Sequence, residues 1–336
     1  MATIRDIASL ANVSIATVSR VINSNEYVSD DLKKRVQSAM EELNYHPNSI
    51  ARSLKTDSTM TIGIIILDLS NSSLSGLCHS VCNRLFADNY LPFVCSTDSN
   101  PETERKYIDL MLSRKVDGLI INSCCPDSPQ ITALSQQIPV VSVYRRIESV
   151  NYIGDFVDSD GIMGTYSLTK HLLASGHRDI FIINGPLSTS AGAERFQGFC
   201  RAMAEVGIKI DKTYPFQCET NYTRNAGIEA MRKISAMEKK PTAILTTNPE
   251  TQLGVIHYCR ENNIRIPEDI SLVSYASASN EDLLYIQPTC AVQDPRSIGV
   301  RAADLILDRI ACPTLPNREI IFPCPIIIGN TVKTLL

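Results

Sequence analysis

Apolar residues fall at Ile4, Ile7, Ala8 and Ala11, the i, i+3, i+4, i+7 stripe of an amphipathic helix. Asn12-Val13-Ser14 breaks it, and Ser14 is placed to cap a second helix, about Ile15 to Asn23, by accepting a bond from a free backbone N–H. Val18, Val21 and Ile22 then face inward onto Ala8 and Ala11, leaving Ile15, Ala16, Ser19 and Arg20 outside. A third helix follows Ser29, with Asp30 and Asp31 favourable in its first turn. Its buried stripe is Leu32, Val36, Ala39, Met40 and Leu43, and Tyr45-His46-Pro47 stops it.

After a short helical segment, Asn48 to Lys55, and the polar linker Thr56-Asp57-Ser58-Thr59, the periodicity changes. The runs Ile62 to Leu67, Phe93 to Cys95, Gly118 to Ile121, Val140 to Val143, Ile180 to Ile183, Ala243 to Leu245 and Ile270 to Val273 predict buried strands. Between them lie amphipathic helices: Leu74 to Asn89, Pro101 to Lys115, Ile131 to Gln137, Gly161 to Ser175, Ala193 to Val206, Asn225 to Met237 and Thr251 to Asn262. Such alternation predicts an α/β core of parallel sheets with helices on both faces, and ligands at the carboxyl ends of the strands.

At 336 residues, 44% hydrophobic and 20% charged, the chain is a globular protein of two or three packed units. The net charge of -4 gives no hint of a polyanion partner. Residues 1–57 carry seven basic and seven acidic side chains, so a DNA-binding reading has to rest on pattern and placement. No apolar leader opens the sequence and no run approaches a membrane span, so a cytoplasmic location without a membrane partner is expected. The eleven cysteines form no C-x-x-C pair and are expected as reduced, mostly buried thiols. Cys78 and Cys82 with His79, and adjacent Cys124 and Cys125, lack the second half of a metal site, so no metal is expected.

Two short helices with a three-residue turn, and small or polar residues on the outer face of the second, suit a DNA major groove about 12 Å wide. A plain three-helix cap would show the same periodicity. The residues go further. Ala2 to Ala8, Val13 to Asn23 and Leu43 to Leu54 closely resemble the headpiece of the lactose-repressor family, which includes the galactose and purine repressors. The resemblance continues through Val116 to Ile121, Gly176-His177-Arg178, Arg195 to Phe199 and Ile266 to Leu272, and so spans essentially the whole chain.

The resemblance implies a small all-α helix-turn-helix headpiece at 1–47, a hinge helix and linker at 48–59, and a two-lobed, periplasmic-binding-protein-like α/β core at 60–336. Its N-lobe is expected at about 60–156 and 290–321, its C-lobe at about 157–289 and 322–336. It also implies that Ile15, Ala16 and Arg20 read bases, with Arg20 able to make a bidentate contact to guanine. Thr3, Ser14, Thr17, Asn23, Tyr45 and Asn48 are the implied phosphate contacts, which set register. In the hinge, Ala51, Leu54 and Lys55 are the implied minor-groove residues, with Leu54 as the wedge. The family's tetramers add a C-terminal leucine heptad, whereas this chain ends at Thr334-Leu335-Leu336, so a homodimer on a palindromic double-stranded DNA operator is expected.

The effector cleft departs from the family pattern. Asn71-Ser72-Ser73-Leu74, Thr247-Asn248-Pro249 and Ser274-Tyr275-Ala276 stand where relatives place aromatic and acidic sugar contacts. Asn71, Ser73, Arg145, Arg195, Tyr222 and Asn248 are the expected effector-binding residues. With Asn248 and Ala276 at the family's acidic positions, Arg195 predicts an anionic effector unless it pairs internally with Asp158 or Glu194. The function expected is a DNA-binding regulator, most simply a repressor under effector control. The alternative is the same DNA binding without effector control. A solute-binding transport protein would share the core but not the headpiece. No phosphate loop, H-E-x-x-H, G-x-S-x-G elbow or dinucleotide loop is present, so neither an enzyme nor a cofactor is expected.

Overall fold

The computed structural model describes residues 2–23, 28–45, 58–276 and 286–335. The chain divides into two compact units between Thr59 and Met60. In the first, α1 (Ile4–Leu10) is held at its start by a capping box in which Thr3 and Asp6 satisfy each other's backbone N–H. Asn12 turns the chain with a φ of 50°, a left-handed conformation that asparagine tolerates. α2 (Ile15–Asn23) follows, and α3 (Asp30–Glu42) closes the unit. Ile7, Ala8, Ala11, Val18, Val36 and Ala39 form the core. Arg35 on α3 donates Nη2 to the carbonyls of Ala11 (2.6 Å) and Asn12 (2.9 Å), which ties the turn to the third helix.

The second unit contains two six-stranded sheets. The N-lobe sheet has the order β11-β5-β4-β3-β1-β2, with β1 at Thr61–Ile66, β2 at Leu91–Ser96, β3 at Gly118–Ile121, β4 at Val140–Val143, β5 at Asp155–Ser159 and β11 at Glu319–Phe322. Its helices are α4 (Ser72–Ala87), α5 (Pro101–Ser113), α6 (Pro129–Ser135) and α11 (Pro295–Ala311). The C-lobe sheet has the order β12-β10-β9-β8-β6-β7, with β6 at Ile180–Asn184, β7 at Gln217–Glu219, β8 at Ala243–Thr246, β9 at Ser271–Tyr275, β10 at Thr289–Ala291 and β12 at Ile326–Ile327. Its helices are α7 (Gly161–Ala174), α8 (Ser190–Ala204), α9 (Arg224–Ala236) and α10 (Pro249–Glu261). Pairing is parallel throughout except for β10 with β12.

The lobe boundaries expected at 156/157, 289/290 and 321/322 fall inside β5, β10 and β11. Sheet membership moves the crossings to just after Ser159, between Ala291 and Pro295, and just after Phe322. β5 was not expected because Asp155-Phe156-Val157-Asp158-Ser159 lacks an apolar run. Asp155 is nonetheless fully buried, accepting from Arg309 Nη2 (2.6 Å) and Nε (3.2 Å) and from Arg318 Nη2 (2.8 Å) and backbone N (2.8 Å). Burial alone would raise its pKa, but these bonds outweigh burial and lower it.

Candidate functional site

On the first unit, Ser14 Oγ accepts the Thr17 backbone N–H at 3.0 Å and lies 2.9 Å from Thr17 Oγ1, so Ser14 is the cap of α2. Ile15, Ala16 and Arg20 are exposed on that helix, Ile15 at 46% despite its apolar side chain. An isoleucine left in water at the start of a helix, beside two hydroxyls and five residues before an arginine, makes a surface that offers both apolar and bidentate contacts to base edges. Thr3 is exposed, Asn23 is the last residue of α2, and Tyr45 packs on the headpiece core. Asn48, Ala51, Leu54 and Lys55 lie outside the described residues.

On the second unit, a cleft of about 90 Å³ runs between the lobes at the carboxyl ends of the strands. All six residues expected at the effector site line it: Asn71, Ser73, Arg145, Arg195, Tyr222 and Asn248. Asn71 caps α4 by accepting from Ser73 N (3.0 Å) and Leu74 N (3.2 Å). Asn248 caps α10 in the same way, accepting from Glu250 N (2.8 Å) and Thr251 N (3.4 Å). Both asparagines therefore have a structural role as well, and only the amide NH2 of each is left for a ligand.

Arg195, on α8, is 7% exposed. Its Nη1 donates to the Thr247 carbonyl at 2.8 Å, and its Cζ lies 4.1 Å from the Tyr275 ring centroid and 5.7 Å from that of Tyr222. The internal pairing with Asp158 or Glu194 does not form. Glu194 bonds Arg146 at 3.2 Å, and the Asp158 carboxylate accepts from Ser159 N (2.7 Å), with Gln293 Nε2 at 3.4 Å. Burial pushes Asp158 up to about 7, against the pull of Arg195 and the Ser159 amide. Arg145, on the loop after β4, donates Nη1 to the Ser123 carbonyl at 3.2 Å, and burial lowers its pKa.

Two family descriptions match the chain. Residues 3–48 match bacterial regulatory proteins of the lacI family. Residues 59–329 match the periplasmic binding proteins and sugar binding domain of the LacI family. The chain belongs to the lacI family. It is 32% identical over 337 residues to the HTH-type transcriptional repressor PurR of Histophilus somni strain 2336, covering 100% of both chains. To the PurR of Vibrio parahaemolyticus it is 33% identical, again over the full length of both. Among solved structures, the lac repressor bound to ONPG in its repressed state superposes with a TM-score of 0.85 at 25% identity, covering 98% of this chain and 99% of that one. The complex of the regulator CelR with cellobiose gives a TM-score of 0.74 at 25% identity, covering 98% and 100%.

Several residues of this lacI-family cleft were not expected there. Tyr144, Asn122 and Gln293 line it, while Tyr275, from the Ser274-Tyr275-Ala276 run already placed at the cleft, underlies Arg195. Ser99, Tyr144, Tyr222 and Ala276, all lining residues, have φ between 58° and 62°. Left-handed backbone at non-glycine residues is costly and concentrates at functional sites. No sequence signal marks it, because such residues are ordinarily glycine or asparagine. Among the described residues no group of three or more metal-ligating side chains occurs, and none of the eleven cysteines forms a disulfide. Five cysteines are buried, five half-buried and Cys312 exposed, so the thiols are less buried than expected. No described helix is long and apolar enough to cross a membrane.

Proposed function

We propose that this chain is a transcriptional repressor that binds a palindromic operator as a homodimer, with its affinity set by a small molecule in the interlobe cleft. The observation that carries the DNA reading is the exposed face of α2, where Ile15, Ala16 and Arg20 stand beside the Ser14–Thr17 hydroxyl pair. In this reading Ile15, Ala16 and Arg20 read bases, while Thr3, Ser14, Thr17, Asn23, Tyr45 and Asn48 meet phosphates. Ala51, Leu54 and Lys55 enter the minor groove. The full-length relatives are named transcriptional repressors, which supports repression in the cytoplasm and a chain with no catalytic step.

The dimer is supported by an apolar stripe on the open edge of the N-lobe sheet. Leu91 and Phe93 alternate along edge strand β2 and are 65% and 38% exposed, and Phe86 at the end of α4 is 78% exposed. An edge strand carrying that much apolar surface invites pairing, and a second copy of the chain is the occupant a two-fold operator requires. A lac repressor dimer bound to operator, with a TM-score of 0.84, has the same fold. Control by an effector is favoured over its loss because three residues that line the cleft, Tyr144, Arg195 and Tyr222, each hold a buried polar atom without a partner among the described residues. Selection of bound genomic fragments, followed by light scattering with and without Phe86→Glu, tests the reading. A dimer that binds a two-fold site and dissociates in the variant is expected. A stable wild-type monomer, or fragments without a common motif, would refute it.

A further inference from the structure

The cleft is rich in donors and poor in acceptors. Arg195 spends one N–H on the Thr247 carbonyl, and its buried Nε has no partner. A guanidinium brings five N–H donors and no acceptor. Arg145 shows a single bond, to the Ser123 carbonyl. The hydroxyls of Tyr144 and Tyr222 are buried without partners. The amide groups of Asn71 and Asn248 have only donors left once their oxygens cap α4 and α10.

The acids nearby have hydrogen-bond partners of their own. Asp68, the one carboxylate among the described residues that line the cleft, accepts from Ser70 N at 2.7 Å. Asp158 is bonded to the Ser159 amide, and Glu104 accepts from Ser123 Oγ (2.9 Å) and Cys124 N (2.6 Å). Among the described residues neither Arg195 nor Arg145 has a carboxylate within ion-pair distance. The first turns of α4, α8 and α10 also line the cleft, through Ser73, Ala191 and Pro249, and add their partial positive charge.

We propose that the cleft takes a small metabolite bearing a phosphate or carboxylate group, with Arg195 from the C-lobe and Arg145 from the N-lobe as its charge partners. The proposal rests on the reading of the cleft as an effector site. Arg195 is already positioned by Tyr275 on one side and Thr247 at one nitrogen, so an oxyanion meets a fork whose orientation is fixed before binding. Tyr144 and Tyr222 line the same cleft, and their buried hydroxyls have no partner among the described residues. An anion held by both arginines joins the two lobes. Its binding energy thereby becomes available to shift the lobes relative to each other.

The test is calorimetric titration of the full-length protein at fixed ionic strength with inorganic phosphate, glucose 6-phosphate, malate and glucose. Repeats with Arg145→Gln and Arg195→Gln complete it. At least one anionic probe is expected to bind at one site per chain. Arg145→Gln, with melting temperature unchanged, should weaken it about ten- to a hundredfold, the value of a charged hydrogen bond. Glucose 6-phosphate without malate selects a phosphate source, and the reverse selects a carboxylate. Should Arg195→Gln fail to fold, Arg145→Gln still decides the matter. Anion binding indifferent to Arg145→Gln would overturn the proposal. So would binding of glucose alone, in which case the effector reading stands and the charge assignment falls. A cleft that takes no probe, with inorganic phosphate at tens of millimolar, also overturns it. The effector reading itself falls only if a broader metabolite screen leaves operator affinity unmoved.

Discussion

The guanidinium carbon of Arg195 sits 4.1 Å from the centroid of the Tyr275 ring, so the floor of the cleft is joined to the last residue of β9. Tyr275 Oη in turn lies 2.8 Å from Ser159 Oγ, at the point where the chain leaves the N-lobe, and Gln293 Nε2, at a second crossing, donates to the same Ser159 oxygen at 3.1 Å. One buried ring therefore links the ligand-facing arginine to two of the three strands of chain that connect the lobes. Tyr275→Phe should cost about 1 kcal/mol, the worth of one neutral hydrogen bond. Tyr275→Ala should cost about 3–5 kcal/mol, because it also empties the fully buried ring volume under Arg195. Equal losses for the two variants in urea denaturation would show that the hydroxyl, and not the ring, organises the site.

Asp158 carries a pH dependence. Its folded-state pKa is raised to about 7, first by burial, while Arg195, the Ser159 amide and Arg146 pull it down and Glu194 pushes it up. Tyr144, Tyr275 and Cys324 also face it. A carboxyl that holds its proton longer when folded contributes stability that is fully present below about pH 4 and lost as pH rises through about 7. Asp158→Asn removes that titration and keeps an acceptor. Between about pH 5 and pH 8 the variant should gain on wild type by on the order of a few kcal/mol. A stability difference that does not change with pH would contradict the assignment.

Gly185 makes room for a cleft wall. A Cβ there would lie 1.9 Å from Cζ of Tyr222, so no side chain fits while that ring stays in place. Gly185→Ala should cost about 1–3 kcal/mol by overpacking. Adding Tyr222→Ala should restore part of the loss, since the clash disappears with the ring. Strictly additive losses in the double variant would mean that the ring does not occupy this position.

The headpiece was legible because its caps and stripe are local. Ser14 caps α2 from a three-residue turn, and Val18, with Val21 and Ile22, meets Ala8 and Ala11. The core strands with unbroken apolar runs were equally plain, except that Phe93 to Cys95, expected as a buried strand, belongs to edge strand β2 and leaves Phe93 exposed. β5 was hidden because its two aspartates are satisfied by partners remote in sequence, Arg309 and Arg318 for Asp155. α11 was hidden by the mixed charge of Arg301, Asp304, Asp308 and Arg309, although Asp294 followed by Pro295 is an N-cap and first-turn signal that was there to be read. In the cleft, resemblance marked Arg195 and Tyr222, but their unpartnered atoms and the tyrosine beneath Arg195 emerge only from tertiary packing.

Operator selectivity of Arg20→Ala tests DNA reading by α2 most directly. Operator fragments selected by the wild-type protein are compared with unrelated DNA in gel-shift titrations at one salt concentration. The expected loss on operator is about 1–3 kcal/mol, roughly five- to a hundredfold, with choice relaxed at one base pair in each half-site and little change on unrelated DNA. An Arg20→Ala protein that binds the operator as tightly and selectively as wild type, or that loses operator and unrelated DNA equally, would contradict base reading by this helix.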